Sequence, residues 1–297
     1  MDGPALLNEL APTAERLFER HLAASKEWAP HELLSATRAG NAELPPGVRA
    51  ALTVNVLTED ALPYYTTGLY LRFGGESPWW DWIRRWTAEE MRHGLALHDY
   101  VSHAGAIDAL QLEQLRLRFI ASASIPTAPT VADACVYLAL QELATRIAHA
   151  NTARLLPDEA GRRIVARVAA DEHLHHLFYR DLVLAALEVS PSATMVAIDR
   201  QVRHFSMPGH EIPDFAVLAV AIADAGIYST RVYLDRVVMP LVVDAWRVAD
   251  VRTESAPAAR ARDRLLDFID RLAVIAPRLT GLTTEVPLGG EAPIGSS

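Results

Sequence analysis

The chain has 297 residues, 51% of them hydrophobic, enough for one large domain or two small ones around a sizeable core. Its formal net charge of −9 speaks against a general nucleic-acid binder, which needs a basic face. A single cysteine, Cys135 in an apolar run, excludes a disulfide framework and points to a reducing cytoplasm.

Pro4–Lys26 repeats apolar residues at helical spacing (Leu6, Leu7, Leu10, Leu17, Phe18, Leu22) and is predicted as an amphipathic helix. Trp28–Asn41 is irregular. Pro45–Pro46–Gly47 opens a long apolar helix, Val48–Phe73, which carries Glu59 and should kink at Pro63, one turn on. Gly74–Pro78 breaks the chain. Trp79–His103 is a helix carrying Glu90 and His93, a shorter one covers Ile107–Ser122, and Ala123–Thr130 is a loop rich in Ser, Pro and Thr. Val131–Leu156 carries Glu142. The helix begun at Pro157–Asp158 carries Glu172 and His175 to about Val189, Ser190–Pro191 restarts one to His204, and SMPGHEIPD (206–214) is a loop. Asp214–Val248 is apolar and helical with a break near Gly226, and the charged Glu254–Arg278 closes the fold. Leu282–Ser297, rich in Pro and Gly, reads as a loose tail after one domain at 1–281. No strand series is visible, so the fold is predicted all-α. MDGPALLNEL has no basic region leading into an apolar one, and the longest apolar run, Phe215–Ile222, falls short of the about 20 residues that span a bilayer. The expectation is a cytoplasmic protein with no membrane span.

Two of the helices share a pattern. In WTAEEMRHG (86–94) and VAADEHLHH (168–176) an Ala precedes an acidic pair, and a His follows the second acid by three residues: Glu90 with His93, Glu172 with His175. An i,i+3 pair lies on one helix face, where carboxylate and imidazole can grip one ion. A lone Glu precedes each copy, Glu59 31 residues before Glu90 and Glu142 30 before Glu172. Two Glu and two Glu-x-x-His from separate helices form the ligand set of a carboxylate-bridged two-metal site in a four-helix bundle. The segments holding Glu59 and Glu142 are too apolar to be surface, and a buried carboxylate needs a metal, a cation or a proton. The rival reading is a set of buried Glu–Arg and Glu–His pairs.

Within each pair, Glu89 could reach His93 at i,i+4, and His176 could replace His175. Only Glu90/His93 and Glu172/His175 keep one spacing in both copies; His173 then points to the surface. His149, seven residues after Glu142, suits either a support beside the ligands or a plain core histidine. Thr145, one turn past Glu142, either offers its hydroxyl to the metal cavity or bonds its own helix carbonyl. His21, His31, His98, His103, His204 and His210 lack partner spacing and read as structural or solvated. Imidazole added to four carboxylates favours iron, and an apolar lining suits an oxidant that must be kept from water.

LTEDALPYY, WTAEEMRHG, QELATRIAHANTAR, AADEHLHH and SMPGH, in that order and at that spacing, resemble the motifs of the soluble acyl-acyl carrier protein desaturases of plant plastids and actinobacteria, over about Trp28–Val248. The resemblance implies a ferritin-like four-helix bundle core with additional helices, of the di-iron carboxylate type. It implies two iron ions held by Glu59, Glu90, His93, Glu142, Glu172 and His175, with Glu90 and Glu172 bridging. Thr145 matches the family's threonine beside the oxygen-binding face. Trp28, Asp171 and His93 match a chain that carries electrons from the surface. The implied reaction is the dioxygen-dependent removal of two hydrogens from a fatty acyl chain on acyl carrier protein, by a homodimer supplied with electrons by a ferredoxin-like donor. Gly68, Leu71 and Cys135 match channel positions but differ in size from the plant residues. Two rivals stand beside this reading: a related di-iron oxygenase (hydroxylase or N-oxygenase), and a catalytically silent ferritin-like iron- or lipid-binding protein. An acidic carrier needs a local basic patch on this acidic chain, for which Arg72, Arg84 and Arg85 are candidates.

Overall fold

A computed structural model describes residues 3–34, 43–105, 107–253 and 255–276. Their helices in chain order are α1 (Gly3–Ala24), α2 (Pro30–Leu34), α3 (Pro46–Asp60), α4 (Leu62–Phe73), α5 (Trp79–Ala104), α6 (Ala109–Ser122), α7 (Val131–Leu155), α8 (Glu159–Val189), α9 (Pro191–Arg203) and α10 (Phe215–Asp224). A turn at Thr230–Val232 runs on as a π-helix over Tyr233–Ala245, together α11, and α12 is Ala256–Ile275. No strand occurs among the described residues. None of their helices is long and apolar enough to cross a membrane. The expected tail, 282–297, lies outside them.

The core is the bundle α3, α5, α7 and α8, in which α7 lies along α8 for most of its length. Helix α7 buries residues all round its circumference, which matches its lack of a polar face. Around the bundle, α1 lies across α8, α10 covers α3, α4 lies on α5, and α9 sits between α7 and α12. One hydrophobic cluster runs from Leu6 to Ala276 through all of these layers.

Local chemistry places the helix ends. Thr130 caps α7 by accepting from the Asp133 amide, and Asp158 caps α8 by accepting from the Gly161 amide at 2.7 Å; each such cap contributes about 1 kcal/mol. Gly105 ends α5 at φ 59°, a left-handed conformation that suits glycine. Pro191 disfavours helical backbone at Ser190 and so ends α8. Pro63 does more than kink the long apolar segment. It has no N–H for the Glu59 carbonyl and its ring crowds that carbonyl, so the helix stops at Asp60 and a new one starts at Leu62. That break leaves Glu59 in the last turn of α3, grouped with bundle residues, while α4 and α7 line a cavity between them.

Candidate metal centre and its cavity

The six acid and imidazole side chains singled out by the repeat converge from four helices: Glu59 from α3, Glu90 and His93 from α5, Glu142 from α7, Glu172 and His175 from α8. They fall into two overlapping groups. In one, ligand atoms of Glu59, Glu90, His93 and Glu172 all lie within 4.8 Å of one another; in the other, those of Glu90, Glu142, Glu172 and His175 do. Glu90 and Glu172 belong to both, so two ions could sit side by side and share them.

The electrostatics of this cluster call for cations. Burial, and then the Glu90 carboxylate, push Glu59 well above the usual carboxylate range; burial, Glu90 and Glu142 do the same to Glu172. Burial opposes the charge on Glu90 too, yet His93 and His175 hold it low. His93 is pushed up to about 9 by Glu90 and Asp171 against the cost of its burial, and His175 is raised by Glu142, Glu89 and Glu90. Four carboxyl groups so close must share protons or positive ions. Donor geometry favours ions. His175 Nδ1 lies 3.0 Å from Glu90 Oε1 and 3.6 Å from Glu142 Oε2, yet neither Nδ1 nor Glu142 Oε2 has a hydrogen-bond partner, although both are buried. Buried ligand atoms that lie close together without a hydrogen bond between them fit a coordinated ion; the mixed carboxylate and imidazole set suits iron.

Each imidazole has an acid behind it. His93 Nε2 lies 3.3 Å from Asp171 Oδ2, which also accepts from Trp28 Nε1 at 2.8 Å and Arg92 at 2.9 Å, while Arg167 reaches Asp171 Oδ1 at 2.5 Å. His175 Nε2 lies 2.8 Å from Glu89 Oε2, which is 2.9 Å from His21 Nε2; Arg85 Nε donates to Glu89 Oε1 at 2.8 Å. Glu89 thus serves His175 across the bundle, not His93 on its own helix. His21, Glu89 and His175 also come close enough to hold an ion, but Arg85 already supplies the positive charge there. His176 turns Nδ1 to the Ala139 carbonyl at 3.0 Å, away from the cluster. His149, kept neutral by burial that pushes it down to about 3, lies 3.9 Å from Glu172 Oε1 with Asn55 on its other nitrogen.

Glu89, His21 and Arg85 stand here in other roles than their sequence positions suggest, and Arg92, Arg167 and Trp86, whose Nε1 donates to Glu142 Oε1 at 3.0 Å, carry no sequence signal of their parts. One signal for Glu89 was present: both repeats carry an acidic pair, and the first acid of each, Glu89 or Asp171, supports the other repeat's histidine.

A cavity of about 310 Å³ leads away from the cluster. Its walls are one face of α4 (Leu62, Tyr65, Gly68, Leu69, Arg72) and one face of α7 (Ala134, Tyr137, Leu138, Gln141, Thr145), with Glu59, Glu90 and Glu172 at one end and the Pro126–Pro129 loop at the other. Thr145 Oγ1 lies 3.1 Å from Glu172 Oε2 and 3.1 Å from the Gln141 carbonyl, so both proposed uses of that hydroxyl are within reach. Of the expected channel positions Gly68 lines the cavity; Leu71 is 66% exposed and Cys135 is buried in the core beside it.

An all-helical bundle that gathers four carboxylates and two imidazoles at the end of an apolar cavity is of the class that could hold a carboxylate-bound metal centre. Comparison with known proteins narrows this. A model of the fatty acid desaturase family matches residues 4–286, and the chain belongs to that family of oxidoreductases. It is 36% identical over 281 residues to the Mycobacterium tuberculosis protein named acyl-acyl carrier protein desaturase DesA1, covering 88% of this chain and 83% of that one. To the chloroplastic stearoyl-acyl carrier protein 9-desaturase of Carthamus tinctorius it is 31% identical over 275 residues, 86% of this chain and 69% of that protein. The X-ray structure of the Mycobacterium tuberculosis protein named acyl-acyl carrier protein desaturase DesA2 superposes with a TM-score of 0.68 at 22% identity, over 87% of this chain and 99% of that one, a likeness of fold. The resemblance carried by the sequence motifs is borne out.

Proposed function

We propose that this chain is an acyl-acyl carrier protein desaturase: it holds a carrier-bound fatty acyl chain against a pair of irons and removes two hydrogens from adjacent carbons. Glu59, Glu90, His93, Glu142, Glu172 and His175 would hold the irons, with Glu90 and Glu172 between them. The irons, when bound, supply the reduction of dioxygen and the oxidising power that unactivated C–H bonds demand. The carbon chain gives up two hydrogen atoms (two protons and two electrons), a ferredoxin-like donor adds two more electrons, solvent adds two protons, and dioxygen leaves as two waters. The protein acts in the cytoplasm as a homodimer.

The observation that carries this reading is a cavity whose one end is the acid–imidazole cluster and whose walls include Leu62, Leu69, Ala134 and Leu138. Such walls hold two neighbouring methylenes beside the cluster and exclude water. Thr145 and Trp86 supply hydrogen bonds at its edge, and Asp171 and Glu89 orient the two imidazoles. An oxygenase would use the same residues, so the deciding experiment is intact-mass analysis of acyl carrier protein after incubation with the iron-loaded protein, a reductant and labelled dioxygen. A product lighter by two hydrogens and free of label is expected. A product carrying the label would replace desaturation by oxygen insertion.

A further inference from the structure

The end of the cavity remote from the cluster carries a charge. On α4, Leu62, Tyr65, Gly68, Leu69 and Arg72 recur at three- and four-residue steps and so share one face. Leu62 and Arg72 are ten residues apart, about 15 Å along a helix. Opposite them α7 runs the other way: Thr145 stands at the cluster and Ala134 at the Arg72 end. The slot is therefore apolar for most of its length, with acids at one end and a guanidinium at the other.

Arg72 is half-buried and short of partners. A guanidinium has five N–H groups, and among the described residues its one hydrogen bond goes to the Ala128 carbonyl in the closing loop. Among the described residues no carboxylate lies within ion-pair distance of it. The buried acid on the neighbouring end of α7, Asp133, is taken by Arg200 at 2.8 Å, Gln201 at 2.9 Å and Thr130 at 2.6 Å. Arg85, by contrast, is tied to Glu89 and Glu27. A half-buried guanidinium with most of its N–H groups open at the end of an apolar cavity can take an anionic ligand.

We propose that Arg72 is an anion anchor: the molecule that fills the cavity presents a phosphate or carboxylate to its guanidinium, and the fixed distance from Arg72 to the cluster selects which carbons meet the metal end. Planar, forked donors match both anions bidentately. Two sources share this chemistry, the phosphate of a carrier's prosthetic arm and a carboxylate ending the carbon chain. The proposal rests on the reading of the cavity as an acyl site.

Three probes of one chain length separate the possibilities: laurate, dodecyl phosphate and dodecanol, titrated calorimetrically into the iron-loaded full-length protein. At least one anion is expected to bind about tenfold or more tightly than dodecanol, the worth of a charged hydrogen-bonded contact. Arg72→Gln, which can still donate to Ala128, should lose that preference while keeping dodecanol affinity, and Arg72→Lys should retain part of it. Preference for dodecyl phosphate assigns the anchor to a carrier arm, and preference for laurate assigns it to a chain-terminal acid. Equal binding of all three to the wild type overturns the anchor and leaves the acyl cavity standing. An Arg72→Gln protein that keeps its anion preference also overturns it. Binding of none of the three overturns both the anchor and the acyl reading.

Discussion

Glu89 and His175 meet at 2.8 Å across the bundle, and the pair mirrors Asp171 with His93 at 3.3 Å. In each repeat the first acid of the pair reaches over to the other repeat's imidazole, while the second acid joins the cluster. Each histidine is thus held by an anion on its far nitrogen, which fixes ring orientation and raises the basicity of the near one. Burial alone would raise Glu89, but His175 and His21 hold it far below the usual carboxylate range.

Glu89→Gln keeps the shape and removes the charge. Loss of such a support behind a metal-binding histidine costs about 10–100-fold in metal affinity. Competition with a chelator should show weakened retention of one ion per chain and unchanged retention of the other. Equal weakening of both, or of neither, would reduce Glu89 to a packing role.

His175→Ala should lose at least one iron per chain, and His176→Ala should keep both, as read by elemental analysis after anaerobic Fe²⁺ loading. The reason is orientation: His175 Nδ1 faces Glu90 and Glu142, whereas His176 Nδ1 faces a backbone carbonyl. The reverse result would mean that the shared spacing of the two repeats had misassigned the ligand.

Much of this was legible because helical spacing is a strong constraint. The i,i+3 pairs and the upstream glutamates place six side chains on four helices without knowledge of the connections between them. The sequence is silent where partners come from distant chain segments. His21 has no spacing that links it to Glu89, 68 residues later, because their contact depends on how α1 packs against α5. Arg72, Arg84 and Arg85 read as one basic cluster from their positions. In the fold Arg72 lines the cavity, Arg85 pairs with Glu89, and Arg84 faces solvent. The split at Pro63 was visible as a proline, but its consequence, a slot between α4 and α7, follows only from packing.

Cys135 offers a test by pH. Its thiol lies buried in the core, and burial pushes it up to about 12, against about 8.5 in an unfolded chain. The folded form therefore keeps its proton where the unfolded form loses it. The contribution of Cys135 to stability is complete below about pH 8.5 and is lost as pH rises from there through 12. Denaturant titrations from pH 8 to 11 should show a shallower alkaline fall for Cys135→Ala than for wild type, whatever their difference at pH 7. A thiol reagent at pH 8 should label the native chain slowly and modify one cysteine per chain at once after unfolding. Fast labelling of the native protein would contradict the burial.

The last prediction concerns Trp28. Its indole N–H donates to Asp171 at 2.8 Å, Asp171 lies 3.3 Å from His93, and the half-buried indole carries Arg92 on its ring at 4.9 Å. A route from the surface to the cluster and a simple clamp on Asp171 would both use these contacts. They differ in what Trp28→Phe does. The ring is kept, and Asp171 retains Arg92, Arg167 and His93, so a clamp lost at one of four points should leave metal content and melting temperature near their wild-type values. If electrons pass through the indole and its hydrogen bond, stopped-flow reduction of the oxidised, iron-loaded protein by a ferredoxin-like donor should slow several-fold. Asp171→Asn should slow it further and also weaken metal retention, since it alters the group behind His93. Unchanged reduction in Trp28→Phe with slowed reduction in Asp171→Asn would end the route at Asp171 and leave Trp28 as packing.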